Sequence, residues 1–176
     1  WTKALLYDIG TGYSVQVASD GGYIITGKQY SGGGDYILIK TDANGSIEWN
    51  KVYDNLGYDD SYDVIQTTDG GYIITGTYMN AVAQSWLVGL IKTNSTGDTS
   101  WVKTYPVSGL NASDCGFSIQ QTSDGGYIVG GYTTKQGQNP DCYLIKTNST
   151  GDTLWTKTFG GAGIDYARQG GGHHPR

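Results

Sequence analysis

Glutamate is almost missing from this sequence: Glu48 is the single Glu among 16 acidic residues, and the rest are Asp. Glu suits helix interiors, whereas the short Asp side chain bonds nearby backbone N–H groups and favours turns. No stretch repeats apolar residues at helical spacing, so almost no helix is expected. Basic residues are few as well. Eleven Lys and Arg leave a net charge of −5 and a pI near 4.7, which excludes the basic footprint that nucleic acid requires. No apolar run approaches the ~18 residues of a membrane span. Histidine is confined to His173 and His174 in a Gly-rich C-terminal stretch. The usual general base for a Ser or Cys nucleophile is therefore missing from the body of the chain. No Gly-rich loop leads into a helix, so there is no phosphate cradle. The expectation is a protein with no catalytic residues and no cofactor. The chain opens on Trp1 without a signal-like segment, as a processed chain or a piece of a longer one would.

What the sequence has instead is glycine, tyrosine and a repeat. There are 29 Gly, 15 Tyr and 5 Trp. Asp20-Gly21-Gly22-Tyr23 returns as Asp69-Gly70-Gly71-Tyr72 and as Asp124-Gly125-Gly126-Tyr127. Ile39-Lys40-Thr41 returns as Ile91-Lys92-Thr93 and Ile145-Lys146-Thr147. Trp1, Trp49, Trp101 and Trp155 follow, each with a Lys two residues later. A period of about fifty residues marks a repeat architecture. Short β-branched and aromatic runs bounded by Asp, Asn and Gly predict four strands per repeat. In the third they span 117–122, 127–133, 142–147 and 153–159. The run Tyr143-Leu144-Ile145 is apolar on successive residues, which predicts burial of both faces. The Trp strand alternates, with Trp101, Lys103 and Tyr105 on one face. Four-stranded antiparallel sheets packed on identical neighbours are propeller blades. The sequence thus predicts an all-β array: repeats at about 1–49, 50–101 and 102–159, the start of a fourth at 160–167, and a Gly/His tail at 168–176. About three blades with an extra strand at Trp1 make an incomplete ring.

The order Asp-Gly-Gly-Tyr, Asp-x-Tyr-Leu-Ile-Lys-Thr, Trp-x-Lys resembles a repeat of secreted and cell-surface proteins of archaea and bacteria. Val129-Gly130-Gly131-Tyr132 followed by Trp155 is similar to the double glycine and later Trp of kelch repeats. The resemblance implies a propeller with a binding or spacer role, in a secreted or surface protein.

Several residues are candidates for more than packing. Asn44, Asn94, Asn111 and Asn148 head Asn-x-Ser/Thr sequons, the acceptor pattern for N-glycosylation. Cys115 and Cys142 could form a disulfide in an oxidising compartment, although one strand is expected between them. Tyr30, Tyr58, Tyr78 and Tyr132 fall at strand ends or loops, where rings can stack on sugars. Asp59, Asp60 and Asp63 are the densest acidic group and a weak Ca²⁺ candidate, outweighed by an expectation of no metal. The recurring Asp20, Asp69 and Asp124 read as turn caps. The expected partners are further copies of the chain or other blades, joined through the open faces of the array, and the second expectation is glycans. Neither nucleic acid nor a membrane span is expected.

Overall fold

A computed structural model describes residues 9–30, 34–54, 58–80, 82, 84–105, 113–134 and 138–167. The extra strand expected at Trp1, the sequon at Asn111 and the tail at 168–176 lie outside them. The described residues are all-β, with twelve strands and no helix. They form three successive antiparallel meanders. The first comprises β1 (Ile9–Val17), β2 (Tyr23–Gln29), β3 (Asp35–Thr41) and β4 (Ile47–Tyr53). The second comprises β5 (Asp60–Gln66), β6 (Tyr72–Asn80), β7 (Ser85–Thr93) and β8 (Thr99–Tyr105). The third comprises β9 (Ser113–Gln121), β10 (Tyr127–Thr134), β11 (Asp141–Thr147) and β12 (Thr153–Phe159).

The second and third meanders are not fully separate. A single parallel bridge, Trp86 to Ser113, joins β7 to β9 and makes one eight-stranded sheet. It arises because the β6–β7 hairpin is longer than β2–β3, carrying Met79–Asn80 against Ser85–Trp86. The described strands close no ring.

The Asp-Gly-Gly-Tyr repeat builds the first hairpin of each meander. Asp20, Asp69 and Asp124 accept from the N–H of Gly22, Gly71 and Gly126 at 2.9, 3.0 and 3.0 Å. The same carboxylates pair with Lys40, Lys92 and Lys146 at 2.7, 2.8 and 2.9 Å. Each ammonium also donates to the next carbonyl, that of Thr41, Thr93 or Thr147. The Asp and the Ile-Lys-Thr lysine therefore form one clamp tying the first turn to the third strand, and recurrence of the Asp is structural.

Two apolar clusters lie between the sheets. Ile24, Tyr36, Leu38, Val64, Tyr72, Ile74 and Ile91 fill the first junction, and Ile73, Val88, Leu90, Ile119, Val129 and Ile145 are among those filling the second. β3 is buried at every position and β7 at all but one, as inner strands clamped on both faces should be. The both-face burial expected for β11 is only half present. Tyr143 and Ile145 are buried, but Leu144 is half-buried, because no further sheet of described residues covers its face.

Candidate functional site

The junctions between sheets follow one pattern, set by the Trp strand. In β4, Trp49 packs edge-on to Tyr72 of the next sheet, with ring centroids 5.8 Å apart. In β8, Trp101 packs on Tyr127 at 6.1 Å. Two residues on, Lys51 reaches Asp98 at 2.8 Å and Lys103 reaches Asp152 at 2.9 Å. Two further on, the Tyr53 hydroxyl donates to the Gly97 carbonyl at 2.8 Å, and Tyr105 to Gly151 at 2.6 Å. A side chain at Gly97 or Gly151 would collide with the Trp ring, since an added Cβ lies 2.8 Å from its nearest carbon. Trp, Lys and Tyr at alternate positions thus form a donor edge. The turn Asn-Ser-Thr-Gly-Asp of the following sheet is its acceptor.

The third donor edge has no acceptor among the described residues. β12 is exposed at every position. Leu154 is 56% exposed, Trp155 42% and Phe159 52%. The Lys157 ammonium lies 5.6 Å from the Trp155 ring of its own strand. Among the described residues nothing covers these large apolar side chains.

Where the chain runs on from β12 it returns to the third sheet. Asp165 N donates to Pro140 O at 2.9 Å, matching Asp59 N to Gly34 O at 2.8 Å two junctions earlier. Ala167 N bonds Gly131 O at 3.1 Å, and the Tyr166 ring packs 5.2 Å from Tyr132. Residues 164–167 therefore hold the place of a following first strand.

The acceptor turns contain the sequons. Asn94 and Asn148 are caps: each Oδ1 accepts from the N–H groups two and four residues on, and from the Thr hydroxyl. Asn44 sits elsewhere in its turn. Asp42 takes the capping place there, accepting from Asn44 N and Ser46 N. The three sequons thus share a hairpin but not a register.

The other sequence candidates do not converge. Asp59 accepts from Met79 N at 2.6 Å, Asp60 pairs with Lys28 at 2.7 Å, and Asp63 accepts from Ser14, Val64 N and Ile119 N. No group of three metal-ligating side chains forms among the described residues, so the Ca²⁺ candidate has no shared centre. Cys115 and Cys142 are free. Both lie opposite Tyr132, one on either side of β10, so the considered disulfide is prevented by the strand between them. Tyr30 and Tyr58 are exposed, and Tyr132 sits in a column with Phe117 and Tyr166. Tyr78 instead lines a groove of about 330 Å³ between the first two meanders, with Tyr36, Tyr53, Asp54 and Asp59. The Tyr36 hydroxyl is buried without a hydrogen-bond partner among the described residues. The four tyrosines form no common platform.

Composition could not show the donor edge, whose ion-pair and hydroxyl partners lie 44 to 49 residues away. The signal available was the joint recurrence of Trp-x-Lys and Thr-Gly-Asp, one repeat out of step.

No family model matches the chain, and no curated protein matches it significantly. Among the described residues no helix is long and apolar enough to cross a membrane.

The ion pairs give a pH dependence. Hydrogen bonds from Lys51 and Lys103 hold Asp98 and Asp152 down to about 2. Burial works against the charge of Asp69, but Lys92, Thr67 and the Gly71 N–H hold it at about 2 as well. Desolvation pushes Asp63 and Asp35 up. The lowered groups stabilise the fold above the ordinary Asp value near 4, and that stability is lost as pH falls through 2. The raised groups act oppositely, retaining protons in the native state, so their term improves as pH falls towards 4. Melting temperatures at constant ionic strength should rise slightly from neutrality to about pH 4, then fall between about 4 and 2. A steady fall from pH 7 would contradict the assignment.

Proposed function

We propose that this chain is a non-catalytic scaffold of β-propeller type, from a secreted or cell-surface protein, whose open sheet faces are its working surfaces. The observation that carries the reading is the exposed third donor edge, Trp155, Lys157 and Phe159, whose counterparts make the same contact twice inside the chain. Each meander is one blade in this reading. Its neighbour relations are those of an array that has not closed. A face built to be covered drives association by apolar burial, and a heterologous contact that does not close continues into filaments. The kelch-like repeat and the Tyr-rich, Asp-rich surface fit an extracellular module, and Asn44, Asn94, Asn111 and Asn148 are its proposed glycosylation positions. Light scattering over a wide concentration range tests the reading: mass should rise with concentration, in steps for a closed assembly and without limit for a filament.

The groove at Tyr36 favours a second reading, a carbohydrate-binding propeller. Tyrosine faces and carboxylates are groups that sugars use, and both line this groove. Titration with a glycan panel, followed by tyrosine and tryptophan emission, tests it. Tyr78→Ala, which removes a partly exposed ring of the groove, should weaken any sugar bound there by roughly tenfold.

A further inference from the structure

The geometry points to a specific occupant for the outer half of the third sheet: a further four-stranded repeat of this chain's own type, continuing from Ile164–Ala167. The inference rests on the open-face reading above and deepens it. Continuity with the existing junctions fixes the occupant. Residues 164–167 already hold the first-strand place, through Asp165 N to Pro140 O and Ala167 N to Gly131 O. Whatever covers β12 must be compatible with that segment, and the rest of the same repeat is. It must also offer three groups in the spacing that Trp49 and Trp101 meet. These are a glycine in the left-handed region, as Gly97 and Gly151 are at φ 79° and 80°, an Asp directly after it, and a Tyr ring from the following second strand. A repeat carrying Asp-Gly-Gly-Tyr and Asn-x-Thr-Gly-Asp has all three.

The donor edge matches two of its three contacts. Trp155 supplies the ring and Lys157 the cation, but Phe159 stands where Tyr53 and Tyr105 place a hydroxyl on the glycine carbonyl. Apolar contact and the ion pair therefore hold this junction without that hydrogen bond. Charge is complementary, because the acceptor Asp is the residue that Lys51 and Lys103 hold at short range inside the chain.

The test extends the full chain. Asp165 aligns with Asp114, so a copy of residues 117–159 placed after Ala167 continues the repeat in register. Trp155→Ala is then made in both chains. In the parent, where the ring is 42% exposed, it should lower Tm by no more than about 2 °C. In the extended chain it should cost roughly 10 °C, as truncating a packed Trp does. Phe159→Tyr should raise the Tm of the extended chain and leave the parent unchanged. An equally mild Trp155→Ala in both chains overturns the assignment. A second extension, a copy of residues 62–105, guards against a failure peculiar to the first, and if neither folds the face does not accept a repeat. A parent that stays monomeric removes self-association alone, since the Trp155 comparison does not depend on it.

Discussion

Gly71→Ala should cost the fold about 3 kcal/mol or more, while its neighbour Gly70→Ala should cost only about 1. The two glycines of Asp-Gly-Gly-Tyr act for different reasons. Gly70 has φ +83° and open space around it, so a side chain there meets only the left-handed strain of an L-residue. Gly71 is at ordinary φ, but the place of its Cβ is taken by the Thr93 carbonyl oxygen and lies 2.7 Å from the Lys92 ammonium. Making room means moving β7 away from the turn. That breaks the Lys92–Asp69 pair, the Gly71 N–H bond to Asp69 and the Thr67 N–H bond to Gly71 O. Urea unfolding of the two variants beside the parent measures the difference. Equal costs would mean that the second glycine is a turn residue only and the clamp is not as described.

A similarly large loss is expected for Asp63→Ala. This carboxylate, 4% exposed, ties all three meanders at their first strands. It accepts from the Ser14 hydroxyl of β1 at 2.8 Å, from its neighbour Val64 N at 2.9 Å and from Ile119 N of β9 at 3.0 Å. Alanine strands two buried N–H groups, each costing about 1–3 kcal/mol, so the sum is on the order of 3–4 kcal/mol. Asp63→Asn keeps one acceptor oxygen and sheds a charge that burial disfavours, but its amide NH2 cannot accept from the second N–H, so it should recover only part of the loss. Thermal melts at pH 7 should therefore rank parent, Asn, Ala. An Ala variant that melts with the parent would show that the three sheets do not depend on this contact.

Much of the strand layout was legible because it is local. The predicted 127–133, 142–147 and 153–159 agree with β10, β11 and β12 to within a residue. The first strand of the third repeat was read as starting at Phe117, but β9 starts at Ser113. Gly116 weakens the strand signal ahead of Phe117. Pairing with β10 continues through it by a register shift, and Gly116 fits against Thr75 and Val88, where no side chain could. The sharing of one face by Trp101, Lys103 and Tyr105 was also legible, from alternation alone. What they touch was not, because their partners sit a whole repeat away and no periodicity within a strand encodes them. The same distance hid the role of Asp63: the sequence showed a dense acidic group with Asp59 and Asp60, and the fold sends the three side chains to different partners. The lysines of Ile-Lys-Thr are a third case. Lys40 and Lys92 are 3% and 5% exposed, which a charged residue tolerates only because the repeated Asp is fixed beside it.

The scaffold reading depends on the third donor edge being a surface that seeks a cover. Sedimentation equilibrium of the parent and of Trp155→Lys/Phe159→Lys, over the same hundredfold concentration range, addresses it most directly. Both substitutions lie on exposed positions of β12, so the fold should survive them. The account predicts that the parent associates with rising concentration and that the double variant remains a monomer. A parent that is monomeric throughout, or a double variant that associates just as strongly, would contradict it.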